Sequence, residues 1–201
     1  MNQTLKIDRQ NLISKDGELY LYENFLSDEL ANTCLAQLLH NTPWQQRQIT
    51  IFGNTVDQPR LISWHAESHI HYSYSGIDLS PEPWSDVLLA IKDTVESKIN
   101  NNFNSAFLNL YRDGKDYMGW HRDNEKKLGP QPLIASISLG IKRKFKLKHM
   151  NDSDLKLDLE LTSGSLLVMA GEIQHYWKHC LPKALTIDEP RINITFRQVY
   201  I

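Results

Sequence analysis

From Ala106 to Arg197 the apolar residues recur every second position in short runs broken by turns, a period that suits extended strands. Phe107, Asn109 and Tyr111 share one strand face, and Ile137, Leu139 and Ile141 alternate with Ser136, Ser138 and Gly140. Leu155–Leu161 reads as a strand with one wet face. The turn residues Thr162, Ser163 and Gly164 lead into the buried run 166–169, and Arg191–Arg197 alternates again. The first half has a different period. Ser27 can cap a helix with Asp28 and Glu29 in its first turn and Leu30, Cys34, Leu35 and Leu38 along one side. A second helix is predicted after Ser80-Pro81-Glu82-Pro83, with Trp84, Leu88, Ile91, Val95 and Ile99 on one face. Two helices followed by many short antiparallel strands predict an α+β protein, a sandwich or jelly roll buttressed by the helices.

Composition narrows the class. The 201 residues are 41% hydrophobic and 23% charged, as in globular domains, and no repeat or linker divides them, so one domain over 1–201 is expected. Apolar runs are too short to span a bilayer, and Met1–Gly17 carries no h-region, which predicts an intracellular, cytoplasmic protein, nuclear if eukaryotic. Cys34 and Cys180 read as free thiols. A net charge of −2 argues against a uniformly basic nucleic-acid coat but leaves room for a local strip. No feature speaks for an oligomer, and a monomer is expected.

His121 and Asp123 stand two apart, so on an extended segment both side chains project toward one point. With a later histidine they would form a two-histidine, one-carboxylate face, which leaves open positions on non-haem Fe(II). His175 and His179 compete for the third place by spacing alone. His65, His69 and His71 with Glu67 form a rival cluster that reads as solvated loop histidines. Arg191, Asn193, Thr195 and Arg197 share one strand face opposite Ile192, Ile194 and Phe196. The ordinary fate of such a face is wet, but turned into a barrel its guanidinium groups would need carboxylates, as a small dicarboxylate supplies. Asn109 and Tyr111 could add neutral hydrogen bonds to the same ligand.

Asn109-Leu110-Tyr111, His121-x-Asp123, His179-Cys180-Leu181-Pro182 and Arg191-x-Asn193-x-Thr195-Phe196-Arg197 together resemble the AlkB family of Fe(II)- and 2-oxoglutarate-dependent nucleic-acid dioxygenases. The likeness is densest from Phe107 to Val199 and is nearest the homologues that act on duplex DNA. It implies a double-stranded β-helix, with a helical and nucleotide-recognition region over 1–100 and a catalytic jelly-roll core over 101–201. It implies that His121, Asp123 and His179 ligate Fe(II), favouring His179 over His175. The cosubstrates would be 2-oxoglutarate, held by Asn109, Tyr111, Arg191, Asn193, Thr195 and Arg197, and O₂. The implied reaction passes through a ferryl species and demethylates N1-methyladenine and N3-methylcytosine in alkylated DNA, releasing formaldehyde and succinate, as direct repair of alkylation damage.

The resemblance further implies base flipping, with Tyr74 of the Tyr72-Ser73-Tyr74 segment stacking on the lesion and Phe52-Gly53-Asn54 forming a hairpin whose Phe52 wedges into the vacated stack. Asn124 and Glu125 fall where the family contacts the damaged base, Asn124 replacing an acidic residue common in the nearest relatives. Lys142, Arg143, Lys144, Lys146 and Lys148 form a basic strip for phosphates, with Arg122, Lys126 and Lys127 as further candidates. The alternatives are an RNA demethylase or hydroxylase of the same fold and a noncatalytic nucleic-acid-binding module.

Overall fold

The computed structural model describes residues 5–51, 53–70, 72–74 and 77–200, and of 50–51, 72–74 and 77–79 the backbone alone. The strands are β1 (Glu18–Tyr22), β2 (Gln45–Ile51), β3 (Asn54–Ala66), β4 (Tyr72–Tyr74), β5 (Ile77–Leu79), β6 (Ser105–Tyr111), β7 (Met118–His121), β8 (Ile134–Gly140), β9 (Arg143–His149), β10 (Lys156–Leu161), β11 (Leu166–Ala170), β12 (Trp177–Leu181) and β13 (Arg191–Arg197). The helices are α1 (Asp28–Asn41), α2 (Asp86–Ile99) and the single turn α3 (Ile173–Tyr176). Among the described residues β1-β11-β8-β13-β6-β3-β2 form a seven-stranded major sheet and β10-β9-β12-β7 a four-stranded minor sheet. Two facing antiparallel sheets linked by crossovers are the jelly roll that the period-2 half predicts.

Both long helices begin at the serine caps that their composition offers. Ser27 accepts a hydrogen bond from the Leu30 amide, and Ser85 accepts one from Leu88. Trp84 therefore lies just outside α2, before the cap, and not on the helix face. In α1 the buried residues are Ala31, Cys34 and Leu38, whereas Leu30 is exposed, because the helix turns its alanine and cysteine stripe to the sheet. Against the helices pack Ala106, Leu108 and Leu110 of β6, Ala135, Ile137 and Leu139 of β8, Leu166 and Val168 of β11, and Ile192, Ile194 and Phe196 of β13. These alternate positions form the outer face of the major sheet, so each of these strands turns its intervening residues toward the minor sheet.

The order of elements differs from the predicted two helices followed by strands. β2 and β3 lie between the helices and join the major sheet beside β6. β3 escapes a periodicity reading for a physical reason: it contains Pro59, and its inner half is buried on both faces while its outer half is exposed. The proline sits where the β2–β3 register slips between Gln46 and Gln48, a break in the ladder that tolerates a missing donor. β8 ends at Gly140, one residue before the predicted Ile141, and Gly140 has φ +89 with the Pro190 carbonyl 2.4 Å from where a Cβ would stand. Only glycine accepts that turn without displacing the backbone of the loop before β13.

Candidate active site

The inward face of the major sheet is apolar at one end and polar at its centre. Arg191 is paired in register with Tyr111, Asn193 with Asn109 and Ser138, and Thr195 with Phe107 and Ser136. Opposite them, on the minor sheet, His179 of β12 is paired with His121 of β7. The two imidazoles lie edge to face with centroids 4.3 Å apart, and His121 Nε2 is 3.7 Å from Asp123 Oδ1. The ligand atoms of His121, Asp123 and His179 all lie within 4.8 Å of one another, close enough to hold one metal ion.

Each of the three is oriented by a neighbour. His121 Nδ1 lies 2.8 Å from the Gly119 carbonyl and donates to it, which leaves the Nε2 lone pair facing Asp123 and His179. The His179 ring stacks on Phe145, and the backbone amide of Asp123 donates to Gln174 Oε1 at 2.9 Å. Arg197 Nη2 donates to Asp123 Oδ2 at 2.8 Å. Burial acts to raise the Asp123 carboxyl, yet Arg197, His121 and His179 together hold it down at about 2. Burial, with His121 beside it, pushes His179 down to about 3, against the pull of Asp123. A carboxylate and a neutral buried imidazole are the protonation states that a metal requires.

Arg191, 2% exposed, occupies the other end of the pocket. Its Nη2 donates to Ser138 Oγ at 2.8 Å, while its buried Nε has no hydrogen-bond partner among the described residues. Burial lowers the guanidinium to about 10, assisted by Arg143 and opposed by Tyr111. Asn109 accepts from Arg60 Nε at 2.7 Å and Asn193 donates to Ser136 Oγ at 2.6 Å, so neutral amide and hydroxyl groups line the pocket beside the Arg60 guanidinium. A buried guanidinium without a carboxylate at one end and a metal-type triad at the other fit an elongated dicarboxylate that reaches the metal.

The predicted residues thus divide. His121, Asp123, His179, Asn109, Tyr111, Arg191, Asn193, Thr195 and Arg197 all line one pocket. His175 does not: its ring nitrogen bonds the Pro130 carbonyl. The rival cluster also dissolves. His65 is a buried strand residue bonded to Ser63 Oγ and the Pro83 carbonyl, not a solvated loop histidine, whereas Glu67 and His69 are exposed. Asn124 is exposed and Glu125 half-buried. Gly53 and Asn54 are exposed at the turn between β2 and β3. Phe52, His71, Ser75 and Gly76 lie outside the described residues, as do the side chains of Tyr72, Ser73 and Tyr74.

The basic strip is not one surface. Arg143 is 1% exposed, pointing inward, and Lys142, Lys144 and Lys146 form ion pairs with Glu160 and Asp158 on the neighbouring β10. Lys148 instead lies 4.4 Å above the Trp120 ring. Arg60, Phe145 and Gln174 belong to the site or support it, although no motif drew attention to them, and Ser136, part of the Ala135-Ser136-x-Ser138-x-Gly140 run that shares the family resemblance, lines the pocket as well. For Ser136 the signal existed, because it alternates with buried apolar residues. For Gln174 and Phe145 none did.

A family model described as 2OG-Fe(II) oxygenase superfamily matches residues 18–197, and the chain belongs to that superfamily. Within it the similarity is to AlkB-type members. The chain is 39% identical over 189 residues to the human alpha-ketoglutarate-dependent dioxygenase alkB homolog 3, an alignment covering 90% of this chain and 65% of the relative. It is 35% identical over 161 residues to the human DNA oxidative demethylase ALKBH2, covering 77% of this chain and 62% of that protein. The chain therefore spans just under two thirds of the length of these relatives. The solved structure of OsALKBH1 superposes with a TM-score of 0.60 at 16% identity, covering 94% of this chain and 100% of that one, a likeness of fold alone.

Proposed function

We propose that this protein is an Fe(II)- and 2-oxoglutarate-dependent dioxygenase that removes N-methyl groups from N1-methyladenine and N3-methylcytosine in DNA. The observation that carries this reading is a cluster of half-buried His121 with buried Asp123 and His179 in the same pocket as the buried Arg191, which has no carboxylate partner among the described residues. His121, Asp123 and His179 would hold Fe(II), Arg191 would take the far carboxylate of 2-oxoglutarate, and Arg197 would orient Asp123 and the near end of the cosubstrate. Fe(II) with 2-oxoglutarate and O₂ supplies oxidative decarboxylation to succinate and hydroxylation of the N-methyl carbon, which then leaves as formaldehyde.

The protein's own residues bind, align and exclude water. Phe107, Met169, Leu161 and Leu181 line the pocket alongside its polar groups and limit the water it admits. Asn109 and Asn193 align the cosubstrate's middle, and no side-chain nucleophile is needed. Beside His121 lies a groove lined by Tyr117, Met118, Trp120, Val56 and Pro59, whose two aromatic side chains would offer stacking surfaces to a flipped base. The names carried by the relatives, a dioxygenase and a DNA oxidative demethylase, agree with this reading. Mass spectrometry of N1-methyladenine and N3-methylcytosine in DNA and RNA oligonucleotides, after incubation with protein, Fe(II) and 2-oxoglutarate, tests it. Loss of 14 mass units from DNA, about one methylene, is the expected result. Loss from RNA alone would establish the RNA reading, and binding without turnover would leave a noncatalytic module.

A further inference from the structure

A second buried guanidinium stands behind the pocket. Arg143, at the start of β9, is 1% exposed and does not line the pocket. Its Nη1 donates to the Asp113 carbonyl at 3.1 Å, and its Nη2 to the Asp116 and Pro182 carbonyls at 2.9 and 2.8 Å, which immobilises the fork. Its Cζ lies 5.9 Å from the Tyr111 ring centroid, and that of Arg191 lies 5.5 Å from the same ring. Tyr111 is 4% exposed, lines the pocket and is paired in register with Arg191. Neither arginine has a carboxylate within ion-pair distance among the described residues, and Asp116 turns its own carboxylate to Arg112. Asp113 and Asp116 attract Arg143 only from beyond ion-pair distance, so two buried guanidinium groups flank one phenol ring with no ion-paired carboxylate among the described residues, an arrangement that favours a bound anion.

We infer that Arg143 is a positioning residue for the distal carboxylate of the 2-oxo acid: it fixes the Tyr111 ring so that the phenol and Arg191 meet that carboxylate together, and adds a second positive charge behind them. The inference rests on the proposed use of 2-oxoglutarate and deepens it, because it says how a chain-terminal carboxylate is told from a methyl group. A phenol held in one pose by a locked guanidinium loses little freedom on donating its hydrogen bond. Three carbonyl bonds alone would make Arg143 a staple between loops, and that role has no reason to depend on what the ligand carries at its far end.

The test compares two ligands that differ there. Dissociation constants of 2-oxoglutarate and of 2-oxopentanoate, which ends in methyl, are measured by competition calorimetry on Mn(II)-loaded protein without turnover, for wild type, Arg143→Gln, Tyr111→Phe and the double variant. Arg143→Gln is expected to weaken 2-oxoglutarate about tenfold, the size of one charge-assisted hydrogen bond, and to leave 2-oxopentanoate unchanged. In the Tyr111→Phe background the same substitution should do much less. Equal weakening of both ligands, or no weakening of either, would overturn the inference and leave Arg143 a staple. Arg143→Lys, which keeps the charge and loses the fork, gives the same comparison if Arg143→Gln does not fold. A wild-type protein that binds both acids equally would instead overturn the dicarboxylate reading itself.

Discussion

At the scale of single residues, the site is governed by how each charge is matched. Asp123 has Arg197 on one carboxylate oxygen and His121 near the other, whereas Arg191 has a serine hydroxyl and no ion-paired carboxylate among the described residues. Asp123→Ala should therefore abolish 2-oxoglutarate turnover and metal binding while the circular-dichroism spectrum stays that of wild type; activity retained by this variant would move the metal elsewhere. Arg191→Lys keeps the charge but loses the planar fork, so the apparent KM for 2-oxoglutarate should rise about tenfold or more with the KM for nucleic acid unchanged. An unaltered KM would assign Arg191 to structure alone.

Elements supply what single residues cannot, namely distance and direction. β6 and β13 are adjacent and buried along nearly their whole length, so one strand face can be fully apolar and the other can carry Asn109, Tyr111, Arg191, Asn193 and Thr195 into the pocket. The loop between β6 and β7 is tied by Arg112, whose Nε and Nη2 grip Asp116, leading into Tyr117 and the strand that carries His121. Burial acts to raise Asp116, but its hydrogen bonds from Arg112 hold it below the ordinary value of 3.8. A depressed carboxyl contributes stability above the unfolded pKa and loses it as pH falls through the folded one. Unfolding titrations should accordingly show wild type losing stability below about pH 4 more steeply than Asp116→Asn, and parallel curves would place the acid sensitivity in other groups. The β2–β3 hairpin carries the exposed turn residues Gly53 and Asn54 beside Phe52. If Phe52 is the proposed wedge, Phe52→Ala should depress turnover of a lesion in duplex DNA far more than in a single strand at matched salt. Equal losses would point to packing.

The whole molecule is a polar slot closed between two sheets, with the helices sealing the back of the larger one. Ligands that bind such a preformed site stabilise the folded state by mass action, about 2.7 kcal/mol at a hundredfold excess over Kd. For a chain of this size that amounts to a rise in Tm of roughly 5–10 °C. Mn(II) and 2-oxoglutarate together should produce it in wild type and fail to in Asp123→Ala. A shift that survives in the variant would mean that binding occurs outside the triad.

Local chemistry determined much of this protein. Serine caps started both long helices, period-2 alternation marked β6, β8, β10 and β13, and the His121-x-Asp123 spacing needed only an extended backbone to converge. These signals act over a few residues, so they are written in neighbouring letters. What depends on pairing between distant segments was not. Spacing alone left His179 and His175 open, and only the family resemblance favoured His179; the physical reason is the β12–β7 register, which sets His179 opposite His121, while one turn earlier His175 faces Pro130. Arg143 stood in a run of lysines and looked like one more surface cation; three carbonyls from loops remote in sequence drew it inside. β3 was hidden by Pro59 and by burial on both faces, and with it went Arg60, which reaches the site across β6. A side chain's environment is decided by which strands become neighbours, and strand pairing is a property of the folded chain as a whole.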